Sequence, residues 1–366
     1  MSVDKDTRIS GGQFIAILFA SRLAVSLTAL PTLHQTSHAT DFMLSTALQI
    51  PLLLLLYLPI WWFGRRTHGA STVDYAGILF GRGGRVVAGL YALVSLYVQV
   101  VALMRFDHLV GSALSPDMSR VALCGAVVAA AFLAALHGLQ AIGRAAVLIV
   151  AGVVAGIVFV FLALLPQMDP LCFAPPLYDG FSPVIAGALE ELPRTLEVVS
   201  IGLLLPYVKG NMTRHYITWT VLVAAGVILI QATSAGVLGD YGELVLFPYY
   251  TAVTTAQIGV LQRVDILAAS LWLAALFVKM AFFAMQFLSC LQRIGGQRFK
   301  LLYAVGGGLL VLISGLLLGN SPLLEERAVI WGISVALTGL MAVILPLGLI
   351  AADAMRNKRL KEAREG

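Results

Sequence analysis

Charged residues are scarce in this sequence. Only 12% of its 366 residues are charged, against roughly 25% in soluble domains. By contrast, 59% are hydrophobic and the mean hydropathy is +0.91. This composition excludes an ordinary soluble protein and predicts an all-α integral membrane protein with many spans. The apolar segments leave no length for a separate soluble domain, so we expect residues 1–366 to form a single polytopic membrane domain.

Cysteine is equally sparse. The three cysteines are too few for a disulfide framework and are not spaced as metal ligands. Cys124 and Cys290 fall in apolar segments and Cys172 in a loop, so we interpret them as packing residues. His34 and His38 lie four residues apart with a single aspartate nearby, so we expect no metal site.

The motifs of several function classes are missing. The sequence has no paired nucleophile and base, no glycine-rich phosphate loop and no ATP motif, so we expect neither an enzyme nor an ATP-driven pump, and no cofactor. Polar residues run directly into the first apolar stretch without a small-residue cleavage site, so no cleavable signal is expected. The net charge of +5 is an orientation signal for membrane spans. It does not indicate a nucleic-acid partner.

Ten apolar segments are long enough to cross a bilayer. They cover roughly residues 11–31, 42–63, 87–110, 119–137, 144–166, 183–208, 216–239, 265–290, 301–319 and 328–353. Most of the 24 lysines and arginines face the same side as the N-terminus, including those of the basic tail 356–366, which suits an anionic lipid surface. The positive-inside rule therefore places both termini in the cytoplasm.

Ten spans divide into two sets of five, and an odd number inverts the second set relative to the first. We predict repeat one over about residues 9–166 and repeat two over about 182–355, as in 5+5 inverted-repeat transporters, whose substrate site lies mid-membrane at broken helices. The first and sixth spans are the predicted broken pair. The sixth holds Pro193 among charged residues, and the first holds Arg22 between Ser21 and Ser26.

Glu197 and Lys279 are the leading candidates for a functional site. Each lies about fourteen residues into its span, or about 21 Å at 1.5 Å per residue, near the middle of a hydrocarbon layer about 30 Å thick. A carboxylate at that depth costs roughly 2.5–3.5 kcal/mol on insertion scales, so it usually faces a cavity or a partner. Glu197 therefore either meets a ligand ammonium or a proton, or forms an internal ion pair with Arg22, Arg194 or Lys279.

Smaller polar residues surround these positions. The candidates for the pocket wall are Ser21, Ser26, Ser200 and Gly202. Serine and glycine in transmembrane helices also serve close helix packing, so both interpretations remain open. Tyr97 and Gln99, mid-way along the third span, would either face the same centre or pack as ordinary polar residues.

Two segments between the spans are predicted to form short surface helices. Residues 240–264 are too polar to span, and we expect interfacial helices there with Phe247, Tyr249 and Tyr250 at the level of the lipid headgroups. Residues 64–85 are predicted to form a short amphipathic helix between glycine breaks.

A series of short motifs runs through the chain in a fixed order. They are Ile9-Ser10 with Gln13, the block at 137–146, Glu197 nine residues before Pro206, and Phe247-Pro248, Gly259, Arg263 with Asp265, Trp272 and Lys279. Together they resemble the spore germination receptor B subunits, an amino-acid-permease-like branch of the amino acid–polyamine–organocation superfamily. The family has a glycine where the first span unwinds, whereas this chain has Arg22 there and no glycine.

The resemblance implies a ten-span fold whose first, third, sixth and eighth spans build a mid-membrane pocket for a small germinant, typically an amino acid. It implies the germinant-sensing subunit of a nutrient receptor in the spore inner membrane, with A-type and C-type receptor subunits as partners. The superfamily cation site between the first and eighth spans would hold Lys279 here, with its ammonium in place of a sodium ion. The alternative is a lysine satisfied by backbone carbonyls. We interpret Arg263 and Asp265 as a structural ion pair at the outer end of the eighth span.

Two other functions remain open, because a fold does not by itself fix a function. The chain could be a proton-coupled secondary transporter of amino acids or related small solutes. It could also be a scaffold subunit with a vestigial pocket, in which the guanidinium of Arg22 occupies the place of a ligand amine.

Overall fold

The computed structural model describes residues 8–27, 39–111, 119–173, 175–178, 180–245, 247–255, 264–319 and 323–365. This part of the chain is helical throughout and contains no strand beyond one isolated bridge. Its α-helices are α1 (Gly11–Ser26), α2 (Ala39–Arg66), α3 (Thr72–Phe80), α4 (Gly84–Leu109), α5 (Arg120–Leu136), α6 (Leu139–Leu164), α7 (Phe181–Glu191), α8 (Glu197–Leu204), α9 (Met212–Leu238), α10 (Pro248–Thr254), α11 (Val264–Gly295), α12 (Lys300–Leu318), α13 (Leu323–Thr338) and α14 (Leu345–Glu365).

Seven helical segments of the described chain are long and apolar enough to cross a membrane. Three further apolar helices are shorter, namely Gly11–Ser26, Arg120–Leu136 and Glu197–Tyr207. They fall at the predicted first, fourth and sixth spans. The all-helical membrane architecture is therefore confirmed, whereas the count of ten spans stays a prediction.

Helix α11 lies at the centre of the bundle. It packs against α1, α4, α5 and α6, and every side chain from Val278 to Ala284 is buried. A helix that is covered on all sides belongs to the core. Trp272 fixes it to α1 by donating its indole N–H to the carbonyl of Ala24 at 3.0 Å, which satisfies one of the free carbonyls near the end of that helix.

Helix α1 begins with a capping box. The Ser10 hydroxyl accepts from the backbone N–H of Gln13 at 3.2 Å, and the Gln13 side chain accepts from the N–H of Ser10 at 2.9 Å, so two free donors of the first turn are satisfied. Immediately before it, Ile9 exchanges backbone hydrogen bonds with Tyr207 at 2.8 Å and Lys209 at 2.9 Å. The starting end of α1 is thereby joined to the segment that ends the sixth span.

The first span differs from the predicted break. Helix α1 is regular through Ser21 and Arg22 and ends at Ser26, with Leu27 as its C-cap, so the interruption expected between Ser21 and Ser26 is not present there. Without a glycine, the sequence offers good helix formers at these positions, and the Ser26 hydroxyl donates to the carbonyl of Arg22 at 3.3 Å, within the helix. Residues 28–38, which include the end of the predicted span, lie outside the described chain.

The sixth span is broken, as predicted. Helix α7 passes into a 3-10 turn at Leu192–Arg194, and α8 begins only at Glu197. Pro193 lacks a backbone N–H and cannot continue an α-helix, and Thr195 leaves the helical region at φ −94° and ψ 56°. Side chains of α13 satisfy carbonyls freed at this break. The Trp331 indole donates to the carbonyl of Glu190 at 3.1 Å, and the Thr338 hydroxyl to that of Pro193 at 3.5 Å.

The helix predicted within residues 64–85 is α3. The Ser71 hydroxyl caps it by accepting from the N–H of Asp74 at 3.1 Å, and Gly81, at φ 58°, ends it in a conformation that favours glycine. In the outer segment, α10 and the 3-10 turn Gly239–Glu243 are the predicted short helices. Phe247 and Tyr249 are buried. Helix α10 packs against α9 and α11, so these two rings contact protein, and their position at the level of the lipid headgroups stays a prediction.

Candidate ligand-binding site

A buried ion pair joins the eighth and sixth spans. The Lys279 ammonium donates to Glu197 Oε1 at 2.7 Å, and the Ser21 hydroxyl donates to the same oxygen at 2.6 Å. Lys279 also lies 3.3 Å from both the carbonyl and the hydroxyl oxygen of Ser21. Three spans therefore meet at one carboxylate. Of the alternatives for Glu197, the structure has the internal ion pair with Lys279.

A second ionic cluster lies at the break of the sixth span. Arg22 donates to Glu191 Oε2 at 2.9 Å, and the other oxygen of Glu191 bonds Arg194. Arg194 also reaches Glu190 Oε1 at 3.3 Å. Arg22 is only 2% exposed, so its guanidinium is held by the protein and does not extend into open space.

A cavity of about 70 Å³ adjoins both clusters. That is room for several water molecules or a small solute. Its polar lining comes from Tyr97, Arg105, Arg194, Lys279, Trp331 and Ser334. Its apolar lining comes from Val25, Val98, Val101, Ala102, Met104, Leu196 and Ile330. The first, third, sixth and eighth spans contribute as predicted, and α13 of the last span contributes as well.

Arg105 lines the cavity but was not among the predicted pocket residues. In the count of basic residues it belonged only to those near the outer ends of the spans. Helix α4 extends to Leu109, so Arg105 lies one full turn inside the helix. Its face carries Tyr97, Val98 and Val101, and this i, i+1, i+4, i+8 spacing was readable in the sequence as one side of a helix.

The contributions of α13 were also missed. Trp331, Ser334 and Thr338 follow at i, i+3 and i+7, which is one helix face. The Tyr97 hydroxyl lies 2.8 Å from the carbonyl of Ile330, to which it donates, and 2.9 Å from the hydroxyl of Ser334. These bonds fasten α4 to α13 across the cavity.

Several predicted pocket residues lie elsewhere. Gln99 is buried and donates to the carbonyl of Ser95 at 3.0 Å, since two residues of helix turn it about 200° away from Tyr97. Ser200 is fully buried but does not line the cavity. Gly202 is a close-packing residue, because an added Cβ would lie 2.7 Å from the hydroxyl of Tyr91.

The remaining predicted residues form no site in the described chain. Arg263 lies outside the described residues, so the expected pair with Asp265, near the start of α11, stays a prediction. His34 and His38 also lie outside them. Within the described ranges, no group of three His, Cys, Asp or Glu side chains is placed to hold a metal.

Comparison with known proteins places this geometry in a transporter fold. A solved structure titled as the substrate-bound outward-open state of a Na⁺-coupled sialic acid symporter matches with a TM-score of 0.60, over 94% of this chain and 79% of that chain, at 15% identity. At that identity the likeness concerns the fold alone. No curated protein matches the sequence. The family model described as "Spore germination protein" matches residues 8–317, so the chain belongs to the spore germination protein family, whose fold is that of a permease.

Proposed function

We propose that this chain is the germinant-sensing subunit of a spore nutrient receptor, and that its germinant binds in the cavity beside Lys279. The observation that carries the proposal is a polar, mid-span cavity in a member of a germination family. Binding pockets in transporter folds lie at such broken helices. The cavity lies between the break of the sixth span, α4, α11 and α13.

A ligand in this cavity would bias the packing of the bundle. Its walls belong to separate helices, which polar contacts such as the one between Tyr97 and Ser334 at 2.9 Å join across the cavity. A ligand shifts an equilibrium between two packings only by its difference in affinity for them. The lining arginines and the Trp331 ring are the groups whose contacts with a ligand would change when α13 moves relative to the break.

The Lys279 site supports sodium-independent sensing. In the proposed function, the ammonium takes the place of a sodium ion between the first and eighth spans. Its contacts with the carbonyl and hydroxyl oxygens of Ser21 at 3.3 Å and with Glu197 at 2.7 Å support this. The oxygens that a cation would need are already bonded to a fixed positive charge.

We place the protein in the spore inner membrane, with both termini cytoplasmic and with A-type and C-type receptor subunits as partners. The family supports the membrane and the partners. The excess of lysine and arginine on the N-terminal side, including Arg293, Arg298 and Arg356, supports the orientation.

A proton-coupled transporter is the second candidate. One oxygen of Glu197, Oε2, is buried without a hydrogen-bond partner in the described chain, which leaves an acceptor position for a proton. The scaffold alternative required Arg22 to fill the pocket. Arg22 instead turns to Glu191 at 2.9 Å and is not among the lining residues, which favours an open pocket.

The decisive experiment measures germination of spores whose protein carries a bulky side chain in the cavity. Ala102 lines the cavity, so Ala102→Trp should abolish germination with the nutrient that requires this gene, while membrane levels stay normal. Ala130→Trp, at an exposed position on α5, is the matched control and should germinate normally.

Normal germination of the deletion strain with every nutrient would contradict the receptor assignment. Net uptake of the nutrient by the purified protein in liposomes, without partners, would favour the transporter.

A further inference from the structure

The buried and half-buried charges around the cavity do not balance. The cations are Arg22, Arg105, Arg194 and Lys279, and the carboxylates are Glu190, Glu191 and Glu197. The described cluster therefore holds four positive and three negative groups. A net charge left in a low-dielectric interior is costly, so buried charges are normally paired.

The surplus charge falls on Arg105. Arg22 and Arg194 are engaged by Glu191 and Glu190, and Lys279 by Glu197. Arg105 has no hydrogen-bond or ion-pair partner among the described residues, although it feels the charges of Glu191 and Arg194. It lines the cavity, so the unmatched guanidinium faces the space where a ligand would lie.

We propose that the cavity binds a small carboxylate anion, that Arg105 is its anchor, and that the ligand needs no ammonium group. The inference rests on the proposed function, because it concerns the same cavity. Among the described residues that line the cavity, none is a carboxylate. The three carboxylates nearby are already held by Arg22, Arg194 and Lys279. Oε2 of Glu190 and of Glu197 has no hydrogen-bond partner in the described chain, but both carboxylate charges are already paired. A ligand amine would therefore add to a positive surplus.

The shape of the site suits a carboxylate with a short chain. A guanidinium presents a planar fork of donors that matches the two oxygens of a carboxylate. The Ser334 hydroxyl also lines the cavity, but its proton is given to Tyr97, because the Tyr97 hydroxyl donates its own proton to the carbonyl of Ile330. Val98, Val101 and Leu196 provide apolar walls. A volume of about 70 Å³ admits only a few heavy atoms.

Four ligands that share the same three-carbon skeleton distinguish the contribution of a carboxylate from that of an amine. Propionate and lactate carry the carboxylate alone, L-alanine carries both groups, and L-alaninamide carries the amine alone. Thermal unfolding of the purified full chain is followed with each at millimolar concentration, with sodium chloride as the inorganic anion. Propionate or lactate should raise the midpoint by about 2 °C or more, by mass action on the folded state, and L-alaninamide should not.

Variants of Arg105 and a matched control test whether this residue binds the anion. Arg105→Gln should remove the response to propionate and lactate without unfolding the protein, since Arg105 has no partner in the described chain to lose. Arg105→Lys keeps the charge but not the fork and should weaken the response roughly tenfold. Arg82→Gln, on the exposed inner turn, should respond as the native chain does.

Several outcomes would overturn the inference. They are stabilisation by L-alanine or L-alaninamide but not by the plain carboxylates, an equal effect of chloride, and a full carboxylate response in Arg105→Gln. Absence of any carboxylate response also overturns it. None of these outcomes decides the receptor function, which depends on germination of the Ala102→Trp spores.

Discussion

Glu197 and Lys279 lie 2.7 Å apart at matched depths of the sixth and eighth spans, and both are almost completely buried, with side-chain exposures of 0% and 6%. The pair links the first residue of α8 to the middle of α11, and Ser21 brings α1 to the same oxygen. A buried pair contributes little net stability, but each partner depends strongly on the other.

Loss of one partner should therefore cost more than loss of both. We expect Glu197→Gln or Lys279→Met to destabilise the protein by about 3–5 kcal/mol, because each leaves an uncompensated buried charge, and the double variant to recover most of that loss. Thermal unfolding of the three variants checks this. A double variant as unstable as the sum of the singles would show that the two side chains do not interact.

Sodium should have no effect on the native chain. We expect the same unfolding midpoint in sodium chloride and choline chloride, because the Lys279 ammonium already occupies the oxygens of Ser21 and Glu197. Lys279→Ala vacates that position and should become selectively more stable in sodium. A sodium requirement of the native chain would contradict the substitution of ammonium for a sodium ion.

Gly202 should not tolerate a methyl group. An added Cβ would lie 2.7 Å from the Tyr91 hydroxyl and 3.0 Å from Thr72 Cγ2, so Gly202→Ala should cost about 1–3 kcal/mol through overpacking. Gly306→Ala in α12 is the control, since nothing lies within 4 Å of its added Cβ. There we expect no loss, or a small gain in helix propensity. Equal unfolding midpoints for the two variants would argue against the packing of α8 on α3 and α4.

Cys172 can report the orientation of the chain. Cys124 and Cys290 are buried, whereas Cys172 is partly exposed in a loop between spans. A membrane-impermeant maleimide should label it in intact cells if that loop is outside. Burial, together with Asp169 and Asp240, raises the pKa of the Cys172 thiol. The thiolate is the reactive form, so labelling should accelerate about tenfold per pH unit on going above neutrality.

Cys172→Ser should abolish this labelling in intact cells, and denatured protein provides the positive control. Labelling that requires permeabilised cells would reverse the proposed orientation.

The level of a residue along its span could be predicted from the sequence. The helix face on which its side chain lies, relative to the neighbouring helices, could not. Residue counting placed Glu197 and Lys279 at one level, because each residue advances a helix by a fixed rise. The same counting failed for Gln99, which lies at the depth of Tyr97 but on another face. It also failed to show that Arg105, within the predicted third span of residues 87–110, lies on the face that lines the cavity. The facing direction of a side chain depends on which helices pack beside it, and only the assembled bundle determines that.

The break of the sixth span could be predicted because Pro193 removes a backbone donor whatever surrounds it. The continuity of α1 could not, since arginine and serine are compatible with either a helix or an unwound segment. Their state depends on whether Glu191 and Glu197 are present to bind Arg22 and Ser21.

The backbone bonds of Ile9 give the protein a mechanical linkage. Ile9 forms backbone hydrogen bonds with Tyr207 and Lys209. The starting end of α1 is therefore attached directly to the segment that ends the sixth span. A displacement of the residues that end the sixth span would therefore also displace Ile9 and the starting end of α1.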